Sequence, residues 1–479
     1  MAIHEACGVF GVFSPKKGYR AAFAAYNGIV SLQHRGQDCC GICTFDGTAH
    51  RLHRGMGLVA QVFSRGDLDA LPGNAAIGHV RYPTTGAIDE RNSQPFNVAM
   101  KGGSYSFAFN GNIPNYPALR KRLLGKGTTF VSTTEIELIA MLFSTALKAA
   151  GADVFSAMRD VMGQLDGSYS IVFLDDAGNL YAARDPQGFK PLCMGEDADG
   201  NVFVSSESCA LEALGVGEFR DVKPGEVVRI SSAGAEGKQV VKSPVISHCM
   251  FEFLYFARGD SVIEGRLNHE VRYKLGQSLA RMHPVKADFV VPVPDSGRSF
   301  ALGYAKESGI PYEEGLMKNR YLFRTFIMPE QKQREEAVRA KLNPVRRIVE
   351  GKRIVLVEDS IVRGTTLGKI VSLLRGAGAK EVHVRVGCPP VVAPCYMGMD
   401  FPTYGELIAA NNSVDGIRKK LGADSLGYTD LSALNEALGL EGKLCLACLN
   451  GVYPLKVPPP PRGKRAKAGA MPLQMECGC

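Results

Sequence analysis

Cys7 stands in MAIHEACGVFGVF, six residues into the chain and directly before a glycine. A free cysteine there is either a small buried hydrophobe in a first strand or, once residues 1–6 are cut away, a terminal residue bearing both a thiol and an α-amino group. A thiolate is a nucleophile, and a free α-amino group with a pKa of about 8 can serve as its neighbouring base. While Ala6 stays attached, that nitrogen is an amide and the role is closed. A second centre of chemistry is VEDSIVRGTT at 357–366, where Glu358 and Asp359 precede a turn carrying Gly364, Thr365 and Thr366. Hydroxyls and close backbone suit a phosphate, whereas the carboxylates would repel one and make sense holding sugar hydroxyls or a divalent metal. A third is CLAC at 445–448, a spacing that lets two thiolates reach one metal without completing its shell.

These residues need elements to hold them. Residues 354–357 form an apolar run, Leu367, Ile370, Val371 and Leu374 repeat at helical spacing, and Val382, Val384 and Val386 alternate. That is a strand, a polar turn, a helix closed by Gly376 and Gly378, and a further strand: a βαβ unit with its turn at a helix N-terminus. The same texture follows residue 250, with a helix expected around 269–282 and a strand within DFVVPVPDSG at 288–297. Before about residue 245, short apolar runs such as AAIGHVRY at 75–82 and SYSIVFLD at 168–175 alternate with Gly-rich turns. The first part reads as a layered α+β domain and the second as an α/β domain with a parallel sheet, the boundary falling near 245–260.

At 479 residues the chain exceeds what one core serves, and its 45% apolar and 22% charged residues are ordinary globular composition. No stretch approaches the roughly 20 apolar residues that span a bilayer, and residues 1–6 lack signal-peptide character, so a cytoplasmic protein is expected. Thirteen cysteines are too sparse for a disulfide scaffold and point to catalysis or metal. The net charge of +8 is modest, and Lys456, Arg462, Lys464, Arg465 and Lys467 crowd around a proline-rich end that reads as a solvated tail. No nucleic-acid or membrane partner is expected.

The string VEDSIVRGTT resembles the phosphoribosyl pyrophosphate motif of type I phosphoribosyltransferases. That resemblance implies that Glu358 and Asp359 face the ribose, that Ser360, Arg363, Gly364, Thr365 and Thr366 cradle its 5-phosphate, and that Asp295 and Ser296 in VPDSGRS lead the pyrophosphate loop. Magnesium would sit on Ser296, Glu358 and Asp359, and Arg324 and Lys341 in the basic segment 318–343 would close over the substrate. The usual motif has two aspartates, so Glu358 is a mild variation. SLQHRGQD at 31–38, GHVRYPTTG at 78–86 and FNGN at 109–112 resemble class II glutamine amidotransferases, whose fold is the αββα layering of N-terminal nucleophile hydrolases. Cys7 is then the nucleophile, Asn110 and Gly111 the oxyanion hole, and Arg81, Glu135 and Arg35 the glutamine-binding set. An Asn-Gly pair by itself is mainly a hairpin-turn signal. Arg35 is expected to support Cys7 or its adjoining loop. Glu135 in TTEIE stands where relatives carry an aspartate for the substrate α-amino group, one methylene longer.

Joined, the two halves resemble the glutamine phosphoribosylpyrophosphate amidotransferase family, in its iron-sulfur-containing branch. The resemblance implies conversion of glutamine and 5-phosphoribosyl 1-pyrophosphate to 5-phosphoribosylamine, glutamate and pyrophosphate, at the start of purine synthesis. It also implies purine nucleotides as feedback inhibitors and a homotetramer. Cys249 and Cys395 would join Cys445 and Cys448 as ligands of a [4Fe–4S] cluster, with zinc as the alternative that Cys₄ also serves. Cys388 lies in an unmatched context, and Cys39, Cys40, Cys43, Cys193 and Cys209 read as structural or incidental. The expected division is a leader at 1–6, a glutaminase domain at 7–250, a phosphoribosyltransferase domain at 251–456 and a tail at 457–479. A different class II amidotransferase would lack VEDSIVRGTT, and a phosphoribosyl-pyrophosphate-binding regulator would show a DNA-reading element, which the sequence does not.

Overall fold

The computed structural model describes residues 7–82, 90–100, 103–319 and 342–457. The leader at 1–6, the segment bearing Arg324 and Lys341, part of GHVRYPTTG and the tail beyond Val457 lie outside the described residues.

The N-terminal part is a sandwich of two antiparallel sheets. Seven strands pair in the order Phe219–Asp221, Cys193–Glu196, Val202–Ser205, Gly8–Phe13, Ala75–Arg81, Cys39–Phe45 and His50–Met56. Six more pair as Gly234–Gln239, Glu226–Ser231, Leu180–Arg184, Ser168–Leu174, Gly103–Asn112 and Phe96–Met100. Side-chain alternation explains the layering, because each strand sends one set of residues between the sheets and the other outward. Val9, Ile77, Ala108 and Val172 pack between the sheets, while Phe10, Ile42 and Val80 pack outward on helix Ala21–Ser31. On the opposite face Phe107, Phe109 and Phe173 meet helices Glu135–Ala149 and Val154–Met162. The result is the expected αββα order of layers.

The C-terminal part is built on four parallel strands, in the order Phe289–Pro292, Arg353–Glu358, Glu381–Val386 and Ser425–Tyr428. Its central strands are buried, Arg353–Glu358 through the apolar run at 354–357 and Glu381–Val386 through alternating valines with His383 and Arg385 buried between them. Helices Asn268–Met282, Gly297–Ser308 and Leu431–Leu438 cover one face, and Thr365–Gly376 with Val414–Leu421 the other. The expected helix at 269–282 and the βαβ unit from residue 354 are present within a residue or two.

Candidate functional site

The Gly8–Phe13 strand pairs with Ala75–Arg81 from its first residue, Gly8 opposite Val80, which brings Cys7 beside the end of that neighbour. The Cys7 thiol is directed at the Tyr82 carbonyl oxygen at 3.4 Å. Burial pushes this thiol up, the nearby Arg81 guanidinium and the Tyr82 contact pull it down, and Cys39 and Glu135 raise it further. Cys7, Arg81 and Glu135, from separate stretches of chain, therefore share one pocket of charge. Glu137, the other acid of TTEIE, is committed elsewhere: it accepts the Val131 and Ser132 backbone N–H groups, each at 2.7 Å. Cys39, expected to be incidental, lies opposite Arg81 in the sheet register and close enough to act on Cys7.

Asn110 and Gly111 do not make a hairpin turn. They lie within the Gly103–Asn112 strand, opposite Ser170 and Tyr169. A Cβ on Gly111 would fall 2.1 Å from the Ser168 carbonyl oxygen, so only glycine allows this approach of the two backbones. The Asn110 side chain is fully buried, yet neither its Nδ2 nor its Oδ1 has a partner among the described residues. A buried amide left unpaired costs free energy, and such groups mark a place prepared for something else.

Arg35 is revised. Its Nε donates to the Cys7 carbonyl at 3.1 Å, one terminal nitrogen donates to Glu207 at 2.6 Å, and the other to both oxygens of Glu252 at 2.9 Å. With its fork spent on buried carboxylates, it holds the backbone of the nucleophile and has no face for glutamine.

In the second domain the expected loops converge. Ser296, at the N-terminus of helix Gly297–Ser308, donates a short hydrogen bond to Asp359, and Ser360 donates to the same carboxylate at 2.5 Å. Burial drives Glu358 and Asp359 up, and for Glu358 the neighbouring Asp359 adds to the rise. Two adjacent acids that resist ionisation are suited to a cation, and with the Ser296 hydroxyl they offer the oxygen donors magnesium accepts beside substrate phosphates and water. Gly364 takes a left-handed conformation, φ 75°, just before helix Thr365–Gly376 begins, and a helix N-terminus favours an anion. The Arg363 side chain pairs with Glu406 at 2.6 Å and lines, together with Gly364 and Thr365, a cavity of about 770 Å³. Asp295 is exposed and paired with Arg298 and Lys318, each at 2.7 Å.

Cys249 and Cys445 stand directly opposite each other in a two-stranded parallel ladder. Cys395 and Cys448 line the same small cavity as these two. Burial pushes all four thiols up, Cys249 to about 12, and the other three act on Cys448. Among the described residues no group of three or more His, Cys, Asp or Glu is drawn together as around a single ion. Four buried thiols facing one cavity are a donor set that a [4Fe–4S] cluster and zinc both accept. Cys388 is fully buried in the core and does not line that cavity.

An antiparallel sandwich with a cysteine just before its first strand, followed by a parallel sheet with a glycine turn at a helix start, is the arrangement of a glutamine amidotransferase coupled to a phosphoribosyltransferase. Domain families agree: a glutamine amidotransferase domain matches residues 80–213 and a phosphoribosyl transferase domain residues 267–389. The amidophosphoribosyltransferase of Methanothermobacter thermautotrophicus is 47% identical, covering 95% of this chain and 96% of its own. That of Archaeoglobus fulgidus is 49% identical over 94% of this chain and 98% of its own. A solved structure of glutamine phosphoribosylpyrophosphate amidotransferase from B. subtilis, complexed with ADP and GMP, superposes with a TM-score of 0.87 at 41% identity, covering 94% of this chain and 98% of that one. The chain belongs to the amidophosphoribosyltransferase family, glutamine-dependent enzymes that convert 5-phosphoribosyl 1-pyrophosphate to 5-phosphoribosylamine in purine synthesis.

Proposed function

We propose that residues 7–250 hydrolyse glutamine and residues 251–456 use the ammonia, with the roles divided as follows. After loss of residues 1–6, the Cys7 α-amino group takes the thiol proton and Sγ attacks the glutamine amide carbon. The Arg81 fork receives the substrate carboxylate and Glu135 its α-ammonium. Asn110 Nδ2 and the Gly111 N–H receive the oxyanion as the tetrahedral intermediate forms, the proton passes to the leaving ammonia, and water then cleaves the thioester to glutamate. The unpaired, buried Asn110 amide beside the nucleophile's sheet carries this reading.

In the second domain Glu358 and Asp359 orient the ribose, the 360–366 turn holds its 5-phosphate, and Asp295 and Ser296 lie on the pyrophosphate side. Ser296, Glu358 and Asp359 would hold magnesium, which when bound would supply neutralising charge to the pyrophosphate. Ammonia attacks C1 and pyrophosphate leaves. Arg324 and Lys341 are assigned to closure over the substrate from the sequence alone. Cys249, Cys395, Cys445 and Cys448 hold a [4Fe–4S] cluster that clamps the junction. Purine nucleotides inhibit, as the ADP and GMP named with the B. subtilis relative suggest. The enzyme is a cytoplasmic homotetramer; among the described residues no helix is long and apolar enough to cross a membrane. The test is product formation with glutamine against ammonia: Cys7→Ala must lose the first and keep the second, and retention of both would reject the assignment.

A further inference from the structure

Beneath the nucleophile runs a buried chain of alternating charge. Arg35 donates to the Cys7 carbonyl and to both oxygens of Glu252, and Lys190 Nζ donates to Glu252 Oε1 at 3.2 Å. The side chains of Arg35, Glu252 and Lys190 are at most 1% exposed. Beyond Glu252, the Cys249 N–H donates to the Phe189 carbonyl at 3.1 Å, the residue directly before Lys190. A second tie meets the oxyanion strand. Asn112 Nδ2 donates to the Tyr396 carbonyl and Ser168 Oγ to the Met397 carbonyl, each at 2.8 Å, while the Met397 N–H donates to Cys395 Sγ at 3.2 Å. Asn112 and Ser168 face each other at the end of the ladder that carries Asn110 and Gly111. Cys7 and the strand of Asn110 thus both hang on segments that carry two of the four thiols, Cys249 and Cys395.

We propose that Lys190 and Glu252 are positioning residues through which the four-thiol centre sets the place of Cys7 for attack on glutamine, with Asn112 as the matching tie to the oxyanion strand. This rests on Cys7 as nucleophile and on the thiols as metal ligands. Buried charges must be paired, and neutralising Glu252 leaves Lys190 unmatched and Arg35 with Glu207 as its remaining carboxylate, so the two cations shift apart. Arg35 carries the Cys7 carbonyl with it. A displacement on the order of 1 Å at a reacting atom is enough to cost about a hundredfold. Phosphoribosyl transfer from free ammonia uses none of these contacts.

The test uses the metal-loaded full chain, purified without oxygen, as Glu252→Gln, Lys190→Met, their double variant and Asn112→Ala. The rate at which a diazoketone analogue of glutamine labels Cys7, located by peptide mass, is read beside glutamine- and ammonia-dependent product formation and the visible absorbance of the centre. Labelling by Glu252→Gln is expected to fall about tenfold to a hundredfold with ammonia-dependent turnover and absorbance kept. The double variant should be no worse than Glu252→Gln alone, since the two residues act as one link. Parental labelling in Glu252→Gln, or an equal fall of both activities, overturns the proposal. If Glu252→Gln does not fold, Asn112→Ala, which removes hydrogen bonding without charge, must show the same selective loss, and parental labelling there overturns it. Label found on a residue other than Cys7 in the parent enzyme would instead refute the nucleophile.

Discussion

One thiol faces a guanidinium and a carboxylate, and each makes its own demand on glutamine. Replacing Cys7 by Ser exchanges a polarizable thiolate for a poor alkoxide, and glutamine-dependent turnover is expected to fall by about three orders of magnitude or more while ammonia-dependent turnover stays. Arg81→Lys keeps the charge and loses the fork, which should raise KM for glutamine about tenfold to a hundredfold with a smaller change in kcat, read from steady-state kinetics. Cys7, Arg81 and Glu135 were legible because each lies in a short string whose types suit the substrate. Arg35 lies beside Cys7 as expected, but its buried partners were not legible: Glu207 and Glu252 are 172 and 217 residues away, and no local pattern announces a buried carboxylate at that distance. Cys39 was missed likewise, because its nearness to Cys7 follows from strand register.

At the scale of elements, the Ala75–Arg81 strand is bound across the sandwich by His79, whose Nε2–H donates to the Phe109 carbonyl at 3.0 Å, one residue before Asn110. Burial lowers the His79 pKa from 6.5 to about 3. The unfolded chain therefore binds a proton below pH 6.5 that the folded one refuses, and stability is lost as pH falls from there toward 3. Between pH 6.5 and 5 the loss from this residue is about 2 kcal/mol, and His79→Gln should flatten that part of the urea-midpoint profile. Gly111→Ala should cost glutamine turnover more than stability elsewhere explains, since the added carbon would strike the Ser168 carbonyl. The βαβ unit around 353–386 was readable nearly to the residue, because strand, turn and helix are consecutive and each has its own period. Asn110 and Gly111 carry a turn signature within a strand, and only pairing with Ser168–Leu174 overrides it.

Across the whole molecule, the ladder joining Cys249 to Cys445 closes a span of nearly two hundred residues beside the domain junction. The proposed metal centre on the four thiols would stabilise the fold by binding only the native arrangement. Its oxidative loss should lower the unfolding midpoint by about 2–4 °C for each kcal/mol of binding forfeited, followed by calorimetry with visible absorbance. An unchanged transition would reject the clamp. Glutamine use depends on the state of the seventh residue, and intact mass of the active enzyme, taken before and after a glutamine analogue, reads it directly. A chain beginning at Cys7 and gaining one adduct on that residue is the expected result. A population that retains residues 1–6 and still turns over glutamine would contradict it.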